Sequence, residues 1–157
     1  MEARLNLMAS PVAAKAFKHI VAASHALGES GLPFATREFV NLRASQINGC
    51  AGCIDMHTKE LAHAGESAVR INLVAAWREA TVFSEAERAA LELAEQGTRI
   101  ADAAGGVPDE VWQNAAKHYD EEQLAALVAQ IAIINAFNRG NVMTRQPAGD
   151  YQVGQYR

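Results

Sequence analysis

The chain has only two cysteines, no run of basic residues and no long apolar stretch, and each scarcity removes a class of function. With 14 Lys and Arg against 18 Asp and Glu, the formal charge is -4, so a nucleic-acid partner would find no electrostatic footprint and none is expected. No window approaches the roughly 18 uninterrupted apolar residues of a membrane-spanning helix. Residues 1–10 contain neither a long apolar stretch nor a cleavage-like pattern. No membrane partner is expected, and the predicted location is the cytoplasm. In that reducing compartment a lone Cys-x-x-Cys points to catalysis or metal binding rather than to a permanent crosslink. Half of the 157 residues are hydrophobic, which suffices for one domain with a core but not for two. That domain is expected over residues 1–140, followed by a tail at 141–157.

The strand signature is missing as well, and helix punctuation takes its place. Ser10-Pro11 offers a cap and a first-turn proline for a helix over residues 11–27, ended by Gly28. Thr36 is placed to cap a second helix over residues 38–47, which Asn48-Gly49 breaks. A third is predicted from near Cys50 to Ala64, where Gly65 stops it, and a fourth over residues 67–80. Ser84-Glu85-Ala86-Glu87 and Asp120-Glu121-Glu122-Gln123 read as capping boxes, the first opening a helix to about Ala104 and the second a helix over residues 124–138. A short helix between them runs from Pro108 to His118. The fold class expected is all-α.

The last helix is apolar on nearly every side from Leu124 to Phe137 and has to be covered all round, either as a central core helix or with part of its surface against a second subunit, and a homo-oligomer is expected. The tail lacks helical periodicity and fits either a position across a neighbour or a loose end. A faint echo aligns Glu38, Gln46 and Ile47 with Glu122, Gln130 and Ile131; it would put Ile134, Phe137 and Asn141 opposite Cys50, Cys53 and His57. Three matches over ten positions are more simply chance similarity between two amphipathic helices.

The chemistry concentrates in Cys50-Ala51-Gly52-Cys53, with His57 four residues on and Glu38 twelve residues before. On a helix, positions 50, 53 and 57 share one face. Cysteines three apart have Cα atoms about 5 Å from each other, within reach of a disulfide. Only a thiolate attacks a peroxide, and a free thiol near pKa 8.5 is scarcely ionised at neutral pH, so the site has to lower that value. The helix N-terminus favours an anion at Cys50, whereas His57 lies one turn beyond Cys53 and is placed to take its proton. The two arguments name different nucleophiles. Zinc is a competing ligand for such a set, but structural zinc normally recruits a second close-spaced pair, which is lacking here; no metal and no cofactor is expected. His19, His25, His63 and His118 read as ordinary surface or packing residues. Trp77 and Trp112 read as packing residues, with Trp77 placed near a pocket rim.

The order Glu38, Cys50-Ala51-Gly52-Cys53, His57, with the stretch His-Thr-Lys-Glu-Leu-Ala-His-Ala-Gly at 57–65 and Glu-Arg-Ala-Ala-Leu at 87–91, resembles the alkylhydroperoxidase D-like (AhpD-like) branch of the carboxymuconolactone decarboxylase family. The resemblance covers roughly residues 35–95. It implies an AhpD-like helical fold, a homo-oligomer (trimer or hexamer), and a thiol-dependent alkyl hydroperoxidase acting in antioxidant defence. Its partners would be a small hydroperoxide substrate and a dithiol or redox-protein electron donor. It also implies that Cys53 attacks the peroxide, Cys50 resolves the product, and Glu38 and His57 relay protons. One position departs: the best-studied members have a histidine directly before the second cysteine, where this chain has Gly52. The alternatives are a non-redox member of the fold, such as a lactone decarboxylase, and a general disulfide oxidoreductase.

Overall fold

A helix that joins another through only two residues sets the architecture around the cysteines. In the computed structural model, which describes residues 2–156, α2 (Phe34–Asn48) ends at Gly49 and α3 (Ala51–His63) starts directly after Cys50. Gly49 adopts φ 67, the left-handed conformation that glycine takes without the penalty a Cβ imposes. The amides of Gly49 and Cys50 return to the carbonyls of Gln46 and Ser45 at 3.3 and 2.9 Å, closing α2 and turning the chain sharply into α3. The other helices are α1 (Pro11–Ala26), α4 (Ala68–Leu73), α5 (Glu85–Thr98), α6 (Asp109–Ala116) and α7 (Glu121–Thr144). There are seven α-helices and no strand among the described residues. The all-α expectation therefore holds.

α2 lies at the centre because its Phe39, Val40, Leu42 and Ala44 are buried on more than one side. Val40 joins Ala94 of α5, Ala115 of α6 and Leu127 of α7 in one apolar cluster. Phe39 and Leu42 join Leu61 of α3, Ile71 of α4 and Trp77 in another. A third, small cluster holds Ala44, Cys50, Cys53 and Ile134, with Phe137 packed against it. The dithiol thus sits where α2, α3 and the second half of α7 meet.

Both expected capping boxes form, Ser84 with Glu87 and Asp120 with Gln123. Several boundaries differ from expectation. Thr36 does not cap α2; it is buried inside the helix, and Pro33 holds the N-cap position. The fourth helix stops at Leu73 and gives way to a 3-10 turn over Val74–Ala76. Arg88 then holds the turn that follows, its guanidinium donating to the carbonyls of Trp77, Arg78 and Ala80. α5 ends at Thr98 instead of near Ala104, because the buried stripe through Leu91, Ala94 and Thr98 ends there and Ile100 already faces solvent. α7 continues to Thr144, so residues 141–144, assigned by sequence to the tail, are helical.

The segment after α7 is neither loose nor extended away from the chain. It folds back along α3. Asp55 accepts the amides of Gly149 and Tyr151 at 2.8 and 3.2 Å, and Lys59 Nζ donates to the carbonyls of the same two residues at 2.9 and 3.0 Å. Glu60 accepts from the Tyr151 hydroxyl at 2.5 Å and from the Gly154 amide at 2.9 Å. The Asp55 carboxyl is held below the usual carboxylate range chiefly by Lys59, against a smaller opposing effect of burial.

Candidate active site

Cys50 is the N-cap residue of α3, with extended backbone, and its carbonyl accepts the Ile54 amide at 3.0 Å to open the helix. Cys53 follows in the first turn and His57 one turn later. All three side chains are buried, the two cysteines with 1% and 3% exposure. The thiols are free, and their sulfurs lie 2.7 Å apart, so closure needs a movement of less than about 1 Å toward the ~2.05 Å bond. Glu38, in the second turn of α2, reaches His57: its Oε2 lies 2.7 Å from Nδ1. The opposite ring nitrogen, Nε2, is buried and has no hydrogen-bond partner. With Nδ1 committed to the carboxylate, Nε2 is the nitrogen left to exchange a proton. The structure thus pairs Cys50 with Cys53 and Glu38 with His57, with His57 one helical turn beyond Cys53 on α3.

The two thiols share their protons. Cys50 is lowered to about 6, first by its hydrogen bond with the Cys53 thiol, which outweighs burial, and further by the Cys53 amide and the side chains of Asn141 and Asn138. Cys53 is pushed well above the ordinary thiol range by sharing that bond, by burial and by the adjacent Cys50 charge. The pair thus loses one proton early and the other late, with the first loss favoured at Cys50. Helix position alone pointed to the same residue.

Sequence reading missed the amides that complete the site. Asn41 donates to Glu38 Oε1 at 3.2 Å and accepts from Gln130 of α7 at 2.8 Å, so the carboxylate facing His57 is itself held from both sides. Asn138 donates to Ser45 at 3.0 Å and accepts from Asn48 at 2.8 Å, pinning α7 to the end of α2. Asn141 donates to Cys53 Sγ at 3.3 Å. The echo between α2 and α7 had singled out Ile134, Phe137 and Asn141, and these residues pack against or bond the dithiol. They contribute walls and a donor to one site rather than a second centre.

Gly52 also finds a structural setting. A Cβ at this position would lie 3.6 Å from the carbonyl oxygen of Pro147 in the returning C-terminal segment, an ordinary contact distance. Trp77 lies elsewhere: it is buried beside Phe39 and Leu42, and its Nε1 donates to Glu95 at 3.0 Å. Arg43 and Arg78 bond the same carboxylate, holding it low against burial. Among the described residues no three His, Cys, Asp or Glu side chains converge as a metal site, and no helix is long and apolar enough to cross a membrane.

An all-helical domain with a buried Cys-x-x-Cys, a Glu–His pair and this helix order defines the class, and the comparisons agree. The model of the carboxymuconolactone decarboxylase family matches residues 11–96. The chain is 46% identical over 111 residues to the uncharacterized protein YdfG of Bacillus subtilis, spanning 71% of this chain and 74% of that protein. A crystal structure from Agrobacterium tumefaciens, of a protein of unknown function for which a role as the antioxidant defence protein AhpD has been suggested, superposes with TM-score 0.87 at 38% identity, covering 96% of this chain and all of that one. An uncharacterized peroxidase-related protein of a Silicibacter species shares the fold, with TM-score 0.78 at 20% identity over 96% and 79% of the two chains. The protein belongs to the carboxymuconolactone decarboxylase family and has the AhpD-like fold.

Proposed function

We propose that the protein is a thiol-dependent hydroperoxidase that cycles Cys50 and Cys53 between dithiol and disulfide, with Glu38 and His57 relaying protons. The observation that carries this reading is the contact between two free buried sulfurs one helical turn from an imidazole whose outer nitrogen is unpartnered. Likeness to a protein with a suggested antioxidant role supports it. In the resting dithiol Cys50 carries the charge and Cys53 the proton. His57 Nε2 takes that proton, and the Cys53 thiolate attacks the terminal peroxide oxygen. An S–O bond forms, the O–O bond breaks, and the departing alkoxide receives the proton from His57 and leaves as alcohol. The Cys50 thiolate then attacks the Cys53 sulfenic acid; the S–S bond forms and the oxygen leaves as water after taking a proton from solvent. The peroxide is reduced by two electrons and the dithiol is oxidised by two. An external dithiol or redox protein reopens the disulfide by exchange.

A lactone decarboxylase would require acid and base groups without an adjacent dithiol, so the cysteine pair weighs against it despite the family's name. Single substitutions test the roles. Cys53→Ser is expected to abolish hydroperoxide consumption with a dithiol donor. Cys50→Ser is expected to trap one oxygen on Cys53, a gain of about 16 Da, without disulfide closure. Normal sustained turnover by both variants would overturn the dithiol mechanism.

A further inference from the structure

Beyond the Glu38, His57 and cysteine set, one more side chain touches a reacting atom. Asn141 Nδ2 lies 3.3 Å from Cys53 Sγ, across 88 residues of sequence. Its backbone is fixed at the end of α7, where its carbonyl accepts the Gln146 amide at 3.0 Å and the Thr144 hydroxyl at 3.4 Å. Asn138, one turn earlier, donates to Ser45, accepts from Asn48 and also favours the thiolates, while the amide bonded to Cys53 Sγ is that of Asn141. A carboxamide N–H is a fixed dipole without charge. It stabilises an anion at the sulfur yet adds no proton that titrates in the working range.

We infer that Asn141 is a catalytic residue of the dithiol site, its amide N–H holding the negative charge on Cys53 Sγ once the thiol proton has passed to His57. The inference rests on the peroxidase reading for the step it serves, though the contact with sulfur stands without it. Loss of the Cys53 proton to His57 places a second negative charge 2.7 Å from the Cys50 sulfur. A donor already aimed at Cys53 lowers the cost of that transfer without needing to reorganise. The titratable groups facing the sulfur are Cys50 and His57 on its own side and Glu38 behind His57 on α2. α7 presents the amides Asn138 and Asn141, while its Arg139 bonds Asn135. Both amides favour the thiolate at either cysteine.

The test isolates Cys53 in a Cys50→Ser protein and measures its iodoacetamide alkylation rate by intact mass from pH 5 to 10. Adding Asn141→Leu, which keeps the size and deletes the donor, is expected to raise the midpoint by about one unit or more, a roughly ten- to hundredfold loss of thiolate at fixed pH. Asn141→Asp is expected to raise it further through like charge. The rate of Cys53 oxidation by cumene hydroperoxide should fall in parallel. Midpoints unchanged in both variants would overturn the role of Asn141. If the Cys50→Ser protein with Asn141 intact takes no oxygen from the hydroperoxide, the peroxidase reading fails instead, and the alkylation midpoints still decide the role of Asn141.

Discussion

His57 shows at the scale of one residue why the site is more than a pair of cysteines. Glu38 holds its Nδ1 at 2.7 Å, and the buried Nε2 is left without a partner, an arrangement that costs stability unless the nitrogen is used. His57→Gln, which keeps much of the volume and one polar group, is expected to slow disulfide formation with hydroperoxide by about a hundredfold or more while leaving the circular dichroism unchanged. An effect below about threefold would remove the residue from the relay. The thiols make a second prediction. With Cys50 held at about 6, alkylation of the reduced protein should already have risen half-way near pH 6, where an unperturbed cysteine near pKa 8.5 would be almost inert. The sign follows from the thiolate being the reactive form: reactivity is lost as pH falls through 6 and retained above it. These four residues were legible because their spacing is local or bridges one turn. Asn41 and Asn141 were not, since an asparagine on a helix has no pattern of its own until a distant partner is packed against it.

The elements bring these residues together with short connections, and α3 is clamped at both ends. Gly49 turns α2 into it from one side, and the segment after α7 lies along the other, anchored on Asp55, Lys59 and Glu60. That return was not legible, because tail residues such as Gly149 and Tyr151 bond mainly through backbone groups, which leave no periodicity in sequence. It passes close to Gly52, where the family resemblance led one to expect histidine, with the Pro147 carbonyl 3.6 Å from where a Cβ would stand. Combining Asp55→Ala with Tyr151→Phe should release the segment, and hydrogen exchange over residues 146–156 should accelerate. Alkylation of the thiols should rise several-fold as the first turn of α3 is uncovered. Unchanged exchange would show that the anchors do not hold the segment. Lys59 depresses the Asp55 pKa, so this anchoring should persist to lower pH than an ordinary aspartate allows and weaken as the carboxylate is protonated.

For the whole molecule, the helix inventory and the capping boxes were readable from sequence, while the helix ends at Leu73, Thr98 and Thr144 were not, since the end of a buried stripe such as that of α5 is set only when the helices pack. The single chain also leaves apolar surface uncovered. α1 has no buried residue, Val12 is 82% exposed, and Met143 near the end of α7 is 67% exposed. A second copy of the chain is the expected cover, and sedimentation should give a multiple of 16.9 kDa, three or six copies on the family resemblance; a 16.9 kDa species alone at micromolar concentration would contradict it. The central claim, that Cys50 and Cys53 form a working peroxide-reducing dithiol, is tested most directly by intact-protein mass spectrometry of the reduced chain before and after brief exposure to about one equivalent of an organic hydroperoxide. The account predicts a rapid loss of about 2 Da, reversed by a dithiol. An unchanged mass under the same exposure would contradict it.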